Sequence, residues 1–103
     1  MKVIWTHLAK ITYIEILENL QKRWTQKEVK EFNILTNAFI LKIQDKNITH
    51  PYANKKLSIR KGKIHKNVSL YYKEDLKNQV IYLITFFNNR MDPTTLKKLL
   101  RGN

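Results

Sequence analysis

The stretch that most constrains this chain is VIYLITFF, residues 80–87. It is apolar on both sides of any strand drawn through it. It is also too short for a helix that would have to bury every face. Val, Ile, Tyr, Thr and Phe favour a pleated surface. A strand apolar on both faces belongs inside a sheet, with something packed on each side. One side is expected to receive the chain's own helices. The other is then covered by the C-terminus, by a partner, or incompletely. Upstream, alternation is clearest at Ile64, Lys66, Val68, Leu70 and Tyr72, which predicts a strand over 64–73 with these residues on one face and His65, Asn67, Ser69, Tyr71 and Lys73 on the other. Leu57–Lys61 begins the preceding strand, with Gly62 at or near a turn or bulge. Residues 73–78 read as a polar hairpin connection.

The N-terminal part has a different period. Lys2–Trp5 reads as a first strand, and Thr6 can cap the helix after it. Leu8, Ile11, Ile14, Leu17, Leu20 and Trp24 recur at helical spacing and predict an amphipathic helix over 8–24. Thr25-Gln26-Lys27-Glu28 is a capping-box pattern that opens a second helix, which runs to about Asp45. Its stripe is Val29, Phe32, Leu35 or Thr36, Phe39 and Ile43. Two long helices with so short a connection are antiparallel neighbours. Residues 47–55 read as a loop containing Pro51. Asp92 and Pro93 suit the N-cap and first position of a short terminal helix over 94–100. The expected fold is α+β: a strand, a two-helix hairpin and three further strands, giving a mostly antiparallel four-stranded sheet with the first strand beside the last, then a short C-terminal helix, all in one domain over 1–103.

Composition narrows the function classes. With 103 residues, 43% of them hydrophobic, and only two glycines and two prolines, the chain suits one ordered core. It has no cysteine, so no disulfides form, zinc binding is not expected and nothing suggests secretion. His7 and His50 stand too far apart in context to suggest a metal. No apolar run approaches a membrane span, so a cytoplasmic protein is the default. The formal charge is +12 and uneven. Residues 1–50 carry eight basic and five acidic side chains, residues 51–103 twelve and three. Lys55, Lys56, Arg60, Lys61, Lys63 and Lys66 follow one another with no acid between them. Such a field attracts polyanions: nucleic acid, an acidic protein or an anionic membrane surface.

VIWTHLAKITYIEILENL at the start, the TQKE helix junction, IRKGKIHKNVSLYY in the middle and VIYLITFFNNRMDP near the end together resemble, in order and spacing, the RelE/ParE superfamily of toxins from bacterial type II toxin–antitoxin modules. The resemblance covers nearly the whole chain. It is strongest where the last strand is followed by Arg90 and then Asp92-Pro93. It implies a small basic toxin neutralised in a hetero-oligomer by an acidic antitoxin, with no cofactor. RelE-like members cut messenger RNA on the ribosome, and ParE-like members poison DNA gyrase. The first would be a metal-independent endoribonuclease; the second is not an enzyme.

Ribonuclease chemistry of that kind requires a base for the attacking 2′-hydroxyl, an acid for the leaving oxygen and cations for the developing charge. By resemblance, Arg60, Lys63, Lys66 and Arg90 match the cationic positions, with His65 and Tyr72 as candidates for proton transfer. The same residues also suit simpler roles: Arg60, Lys63 and Lys66 as solvated strand positions, His65 as a half-exposed strand histidine, Tyr72 as core and Arg90 as a partner of Asp92. After Arg90 the chain offers Lys97, Lys98 and Arg101 but no Tyr or His, and NRMDP is similar to the ending of ParE-like members. A non-catalytic nucleic-acid-binding domain, using Lys55–Lys66 and stacking on Tyr71, is the competing reading.

Overall fold

The computed structural model describes residues 1–23, 25–46 and 49–89. Its elements are β1 (Lys2–Trp5), α1 (His7–Arg23), α2 (Gln26–Gln44), β2 (Tyr52–Asn54), β3 (Ile59–His65), β4 (Val68–Asp75) and β5 (Val80–Asn88). The five strands form one sheet in the order β1-β5-β4-β3-β2. β1 runs parallel to β5, and the other pairs are antiparallel. The two helices pack on one face. The architecture is α+β, and β5 lies inside the sheet, as its two-sided apolar sequence requires.

The helix ends follow local chemistry. Ala9 N–H donates to Thr6 Oγ1 at 3.1 Å, and the same hydroxyl donates to Leu83 O at 2.6 Å. Thr6 therefore caps α1 and also fastens its start to β5. Thr25 caps α2, accepting from Glu28 N–H at 3.3 Å. Tyr13 donates to Asn33 across the antiparallel pair. The core between helices and sheet contains Ala9, Ile16, Phe32, Phe39, Ile43, Ile64, Leu70, Tyr72, Ile81, Leu83 and Phe86. Trp5, Tyr13, Phe32 and Phe86 meet there in stacked, tilted and edge contacts with centroids 4.9–5.8 Å apart. On the opposite face Ile59, Tyr71 and Phe87 form a smaller buried cluster with Ile84 against it.

Four expectations are corrected. The sheet has five strands, not four, because Tyr52–Asn54, inside the expected loop, pairs with β3 through Tyr52↔Arg60 and Asn54↔Ile59. The strand expected over 64–73 is interrupted: β3 ends at His65, Lys66 and Asn67 turn, and β4 begins at Val68. Gly62 is inside β3, beside the register shift between Lys63 and His65, in keeping with its expected place near a bulge. β4 continues to Asp75, so the connection to β5 is only residues 76–79. The buried stripe of α1 is Ala9, Thr12 and Ile16 with Tyr13 and Leu17 beside it, while Ile11 and Ile14 are exposed.

Thr12 explains that last shift. β4 and β5 change register between Tyr71↔Thr85 and Tyr72↔Leu83, leaving Ile84 as an extra residue, a β-bulge. The amide of Phe86 turns to α1 and donates to Thr12 Oγ1 at 3.0 Å, and Thr12 donates in turn to Leu8 O at 2.8 Å. Burying an unpaired amide costs about 1–3 kcal/mol, so the hydroxyl is placed where an apolar count would put an isoleucine. The short helix expected over 94–100, with its cap Asp92-Pro93, lies outside the described residues.

Candidate nucleic-acid interface

The expected cationic run does not form one flat patch. Strand alternation divides it. Ile59 and Lys61 take the face of β3 away from the helices, where the Lys61 ammonium lies 5.8 Å from the Tyr71 ring centroid, while Lys63, beside the register shift before His65, borders the cleft on the α2 side. Arg60, Gly62 and Ile64 take the other face, in register with Tyr72 and Leu70. Lys55 and Lys56 are exposed in the turn before β3, and Lys66 is exposed in the turn after it. Seven strand residues separate those turns by roughly 20 Å. The six cations therefore line both ends and both faces of the β2–β3 edge as a rim. Tyr71 is buried, which leaves no ring face for a base to stack on, and burial raises its pKa.

Arg60 has little freedom within that rim. Its Nε donates to Glu74 Oε1 at 2.6 Å, one terminal nitrogen to His50 O at 2.6 Å and the other to Tyr52 Oη at 3.0 Å. Its guanidinium carbon also sits 4.0 Å from the Tyr52 ring centroid. All three guanidinium nitrogens are thus engaged within the fold. Arg60 ties β3 to β4, to β2 and to the His50 backbone.

Next to it stands an arrangement that sequence reasoning missed. His50, on the segment leading into β2, stacks on Phe39 of α2 with centroids 4.7 Å apart and planes 21° apart. Its Nδ1 is 2.7 Å from Tyr72 Oη. Burial, with Glu74 adding to it, pushes the Tyr72 hydroxyl up to about 12, so it stays protonated at neutral pH. It can donate to a bare Nδ1 or accept from a protonated one, and the contact survives titration of the ring. Burial, followed by the charge of Arg60, pulls His50 below the usual histidine value. Gly62 makes room for the stack: a Cβ there would lie 2.4–2.5 Å from Phe39 ring atoms and 2.7 Å from His50. The spacing HP-x8-RKG-x9-Y over 50–72 was the available signal, but each of its members has a bland reading alone.

His50 opens onto a small cleft of about 170 Å³ between α2 and β3, lined also by Leu35, Ala38, Phe39, Lys42, Lys63 and Ile64. A half-buried imidazole oriented by a tyrosine, with two lysines at the same cleft, can hold an anionic oxygen and exchange a proton with it. His65 lies elsewhere, edge-on to Phe32 at 6.3 Å. Burial lowers its pKa, with smaller opposed effects from Glu28 and Lys66. The expected proton-transfer pair, His65 and Tyr72, is therefore not brought together; Tyr72 is joined to His50 instead. Arg90 lies outside the described residues.

A larger cleft of about 590 Å³ opens on the helix-free face between Thr6, Lys73, Glu74, Asp75, Leu76, Tyr82 and Ile84. Its acids are engaged: Glu74 with Arg60, and Asp75 with Asn78, whose side-chain and backbone N–H groups hold the Asp75 carboxyl below its ordinary pKa. Among the described residues no group of three His, Cys, Asp or Glu side chains could hold a metal ion, and no helix is long and apolar enough to cross a membrane. Comparison with known proteins finds no family model and no curated relative that matches the chain.

Proposed function

We propose that the protein is the toxin of a RelE/ParE-like toxin–antitoxin pair and acts by binding its target, in the manner of the gyrase-poisoning branch. The observation that carries this reading is topological. β1 lies parallel to β5 and antiparallel strands continue toward the far edge, with a helical hairpin on one face and the cations on that far edge. An α+β sheet with a helical hairpin on one face is broadly compatible with the resemblance, with five strands in place of the expected four. Binding is favoured over cleavage because Arg60 and Tyr72, two of the candidate catalytic residues, spend their polar atoms inside the fold. An acidic antitoxin would neutralise the rim. The test is a supercoiling assay with purified gyrase. Addition of the chain should trap cleaved DNA, and Lys61→Glu combined with Lys63→Glu should reduce the effect at least tenfold. Supercoiling unchanged at micromolar protein removes this reading.

A second reading is favoured by one observation, the His50–Tyr72 contact at 2.7 Å beside Lys42 and Lys63. In it, His50 takes the 2′-hydroxyl proton of an RNA and the lysines hold the phosphate. Transcript ends mapped after induction distinguish the two. Cleavage that is abolished by His50→Gln and survives His65→Gln would select the ribonuclease.

A further inference from the structure

α2 is apolar on two opposite sides. Its buried side carries Phe32, Thr36, Phe39 and Ile43. Successive helical residues turn by 100°, so Ile34 and Leu41, each two positions before a buried residue, point the other way. Both are 58% exposed, and Leu35 is 43% exposed. Ala38, between them at helical spacing, is exposed as well. α1 adds Ile14, 54% exposed, and Ile11, also exposed. A helix with one core-facing stripe should be polar on its far side; here the far side of α2 carries Ile34, Leu35, Ala38 and Leu41, and α1 adds Ile11 and Ile14 among charged residues. An apolar stripe of this length on a protein surface marks a docking site.

We propose that the occupant is a second copy of this chain, docked hairpin to hairpin about a two-fold axis. Three features select it. The first is charge distribution. Residues 7–44 carry six basic and four acidic side chains, a net of +2, whereas residues 46–103 carry thirteen and three, a net of +10. Pairing the hairpins sets nearly neutral surfaces together. It also leaves the cationic edges two helical layers apart, roughly 20 Å, beyond a screening length of about 8 Å.

The second feature is register. In an antiparallel α2–α2 pairing, position i faces a position whose number makes a constant sum with i. The sum that puts Ile34 opposite Leu41 also puts Lys30 opposite Asp45, both exposed. Sliding by one position places Glu31 against Asp45. In the first register of the two-fold contact, apolar and charged pairs agree. The third is area. Two helices of 17 and 19 residues offer a face of about 25 Å by 20 Å, so two copies bury on the order of 1,000 Å², the lower bound for a specific, reversible dimer. The contact leaves the cations of the β2–β3 edge outside it and borders the His50 cleft through Leu35 and Ala38, and the inference stands without the toxin reading.

Sedimentation equilibrium of the whole chain from 10 µM to 1 mM tests this. The apparent mass should rise from 12.4 kDa toward twice that value. Ile34→Glu and Leu41→Glu should each hold the protein at the monomer mass with the helical circular dichroism unchanged. Lys30→Glu should weaken dimerisation at least fivefold, and Lys30→Glu with Asp45→Lys should restore it. A wild-type chain that stays monomeric at 1 mM, a dimer indifferent to Ile34→Glu, or a charge swap that fails to rescue overturns the proposal.

Discussion

Among the described residues, two of the places where the protein buries polar groups differ in kind. Under α1 the hydroxyls of Thr12 and Thr85 close around the Phe86 amide at the β5 bulge. Every group there is neutral at any pH that the fold would meet. At the β2–β3 edge, Arg60, Glu74, His50 and Tyr72 form a chain that includes an ion pair at 2.6 Å and an imidazole. The first arrangement satisfies a backbone and ends there. The second holds charge in a half-buried place, keeps a tyrosine protonated and opens onto a cleft. Hydroxyls suffice where architecture needs one hydrogen bond. Titratable groups at a sheet edge cost desolvation, and their presence points to where the surface is used.

Substitutions can break this contrast. The largest effect is expected from Gly62→Val. Even a Cβ at Gly62 collides with Phe39 and His50, so loss of about 3 kcal/mol or more is expected in urea denaturation, with the Phe39–His50 stack opened. Arg60→Met, which leaves the Glu74 carboxylate and the His50 carbonyl without their donor, should cost about 2–3 kcal/mol. Thr12→Val keeps the shape but strands the Phe86 amide, for about 1–2 kcal/mol, and this loss should be the same at pH 6 and pH 9.

The pH dependence sharpens the contrast further. Tyr72 is raised in the fold to about 12 from 10.0. Its contribution is complete below pH 10 and disappears as pH rises through 12. His50 and His65 are lowered from 6.5 by burial, so their contribution is present above pH 6.5 and falls away as pH drops through their folded values. Denaturation midpoints of the wild type should decline at both ends of the pH range. Tyr72→Phe should reduce the alkaline limb, to which Tyr13 and Tyr71, also raised by burial, still contribute, and His50→Gln should reduce the acid one. The smallest effect concerns Gln79, which takes φ 55 before β5. Gln79→Gly should stabilise by about 0.5–1 kcal/mol by relieving a left-handed side chain.

Much of the fold was legible in the sequence. The two-sided apolar run 80–87 placed β5 inside the sheet. Thr25–Glu28 marked the helix junction, and Phe32, Phe39 and Ile43 found the core face of α2; of the two alternatives Leu35 and Thr36, Thr36 is the buried one. What failed has physical causes. Left-handed turn positions are filled by Lys46, Ser58 and Gln79, not glycine, so these three turns carried no glycine signal. Alternation ran on through the Lys66-Asn67 turn because Ile64 and Val68 keep the same face across it. The α1 stripe was misplaced because its central buried residue, Thr12, is polar for the sake of a bulge in a strand some seventy residues away. The His50 arrangement was hidden for a similar reason: its members are brought together from α2, β3, β4 and the segment before β2, and no local pattern contains them.

The most direct measurement is the growth of a bacterial culture in which the chain alone is induced. Division should stop within a few generations. A Lys61→Glu, Lys63→Glu, Lys66→Glu variant with unchanged circular dichroism should let the culture grow. A wild-type chain that accumulates as folded protein without slowing growth would contradict the toxin reading.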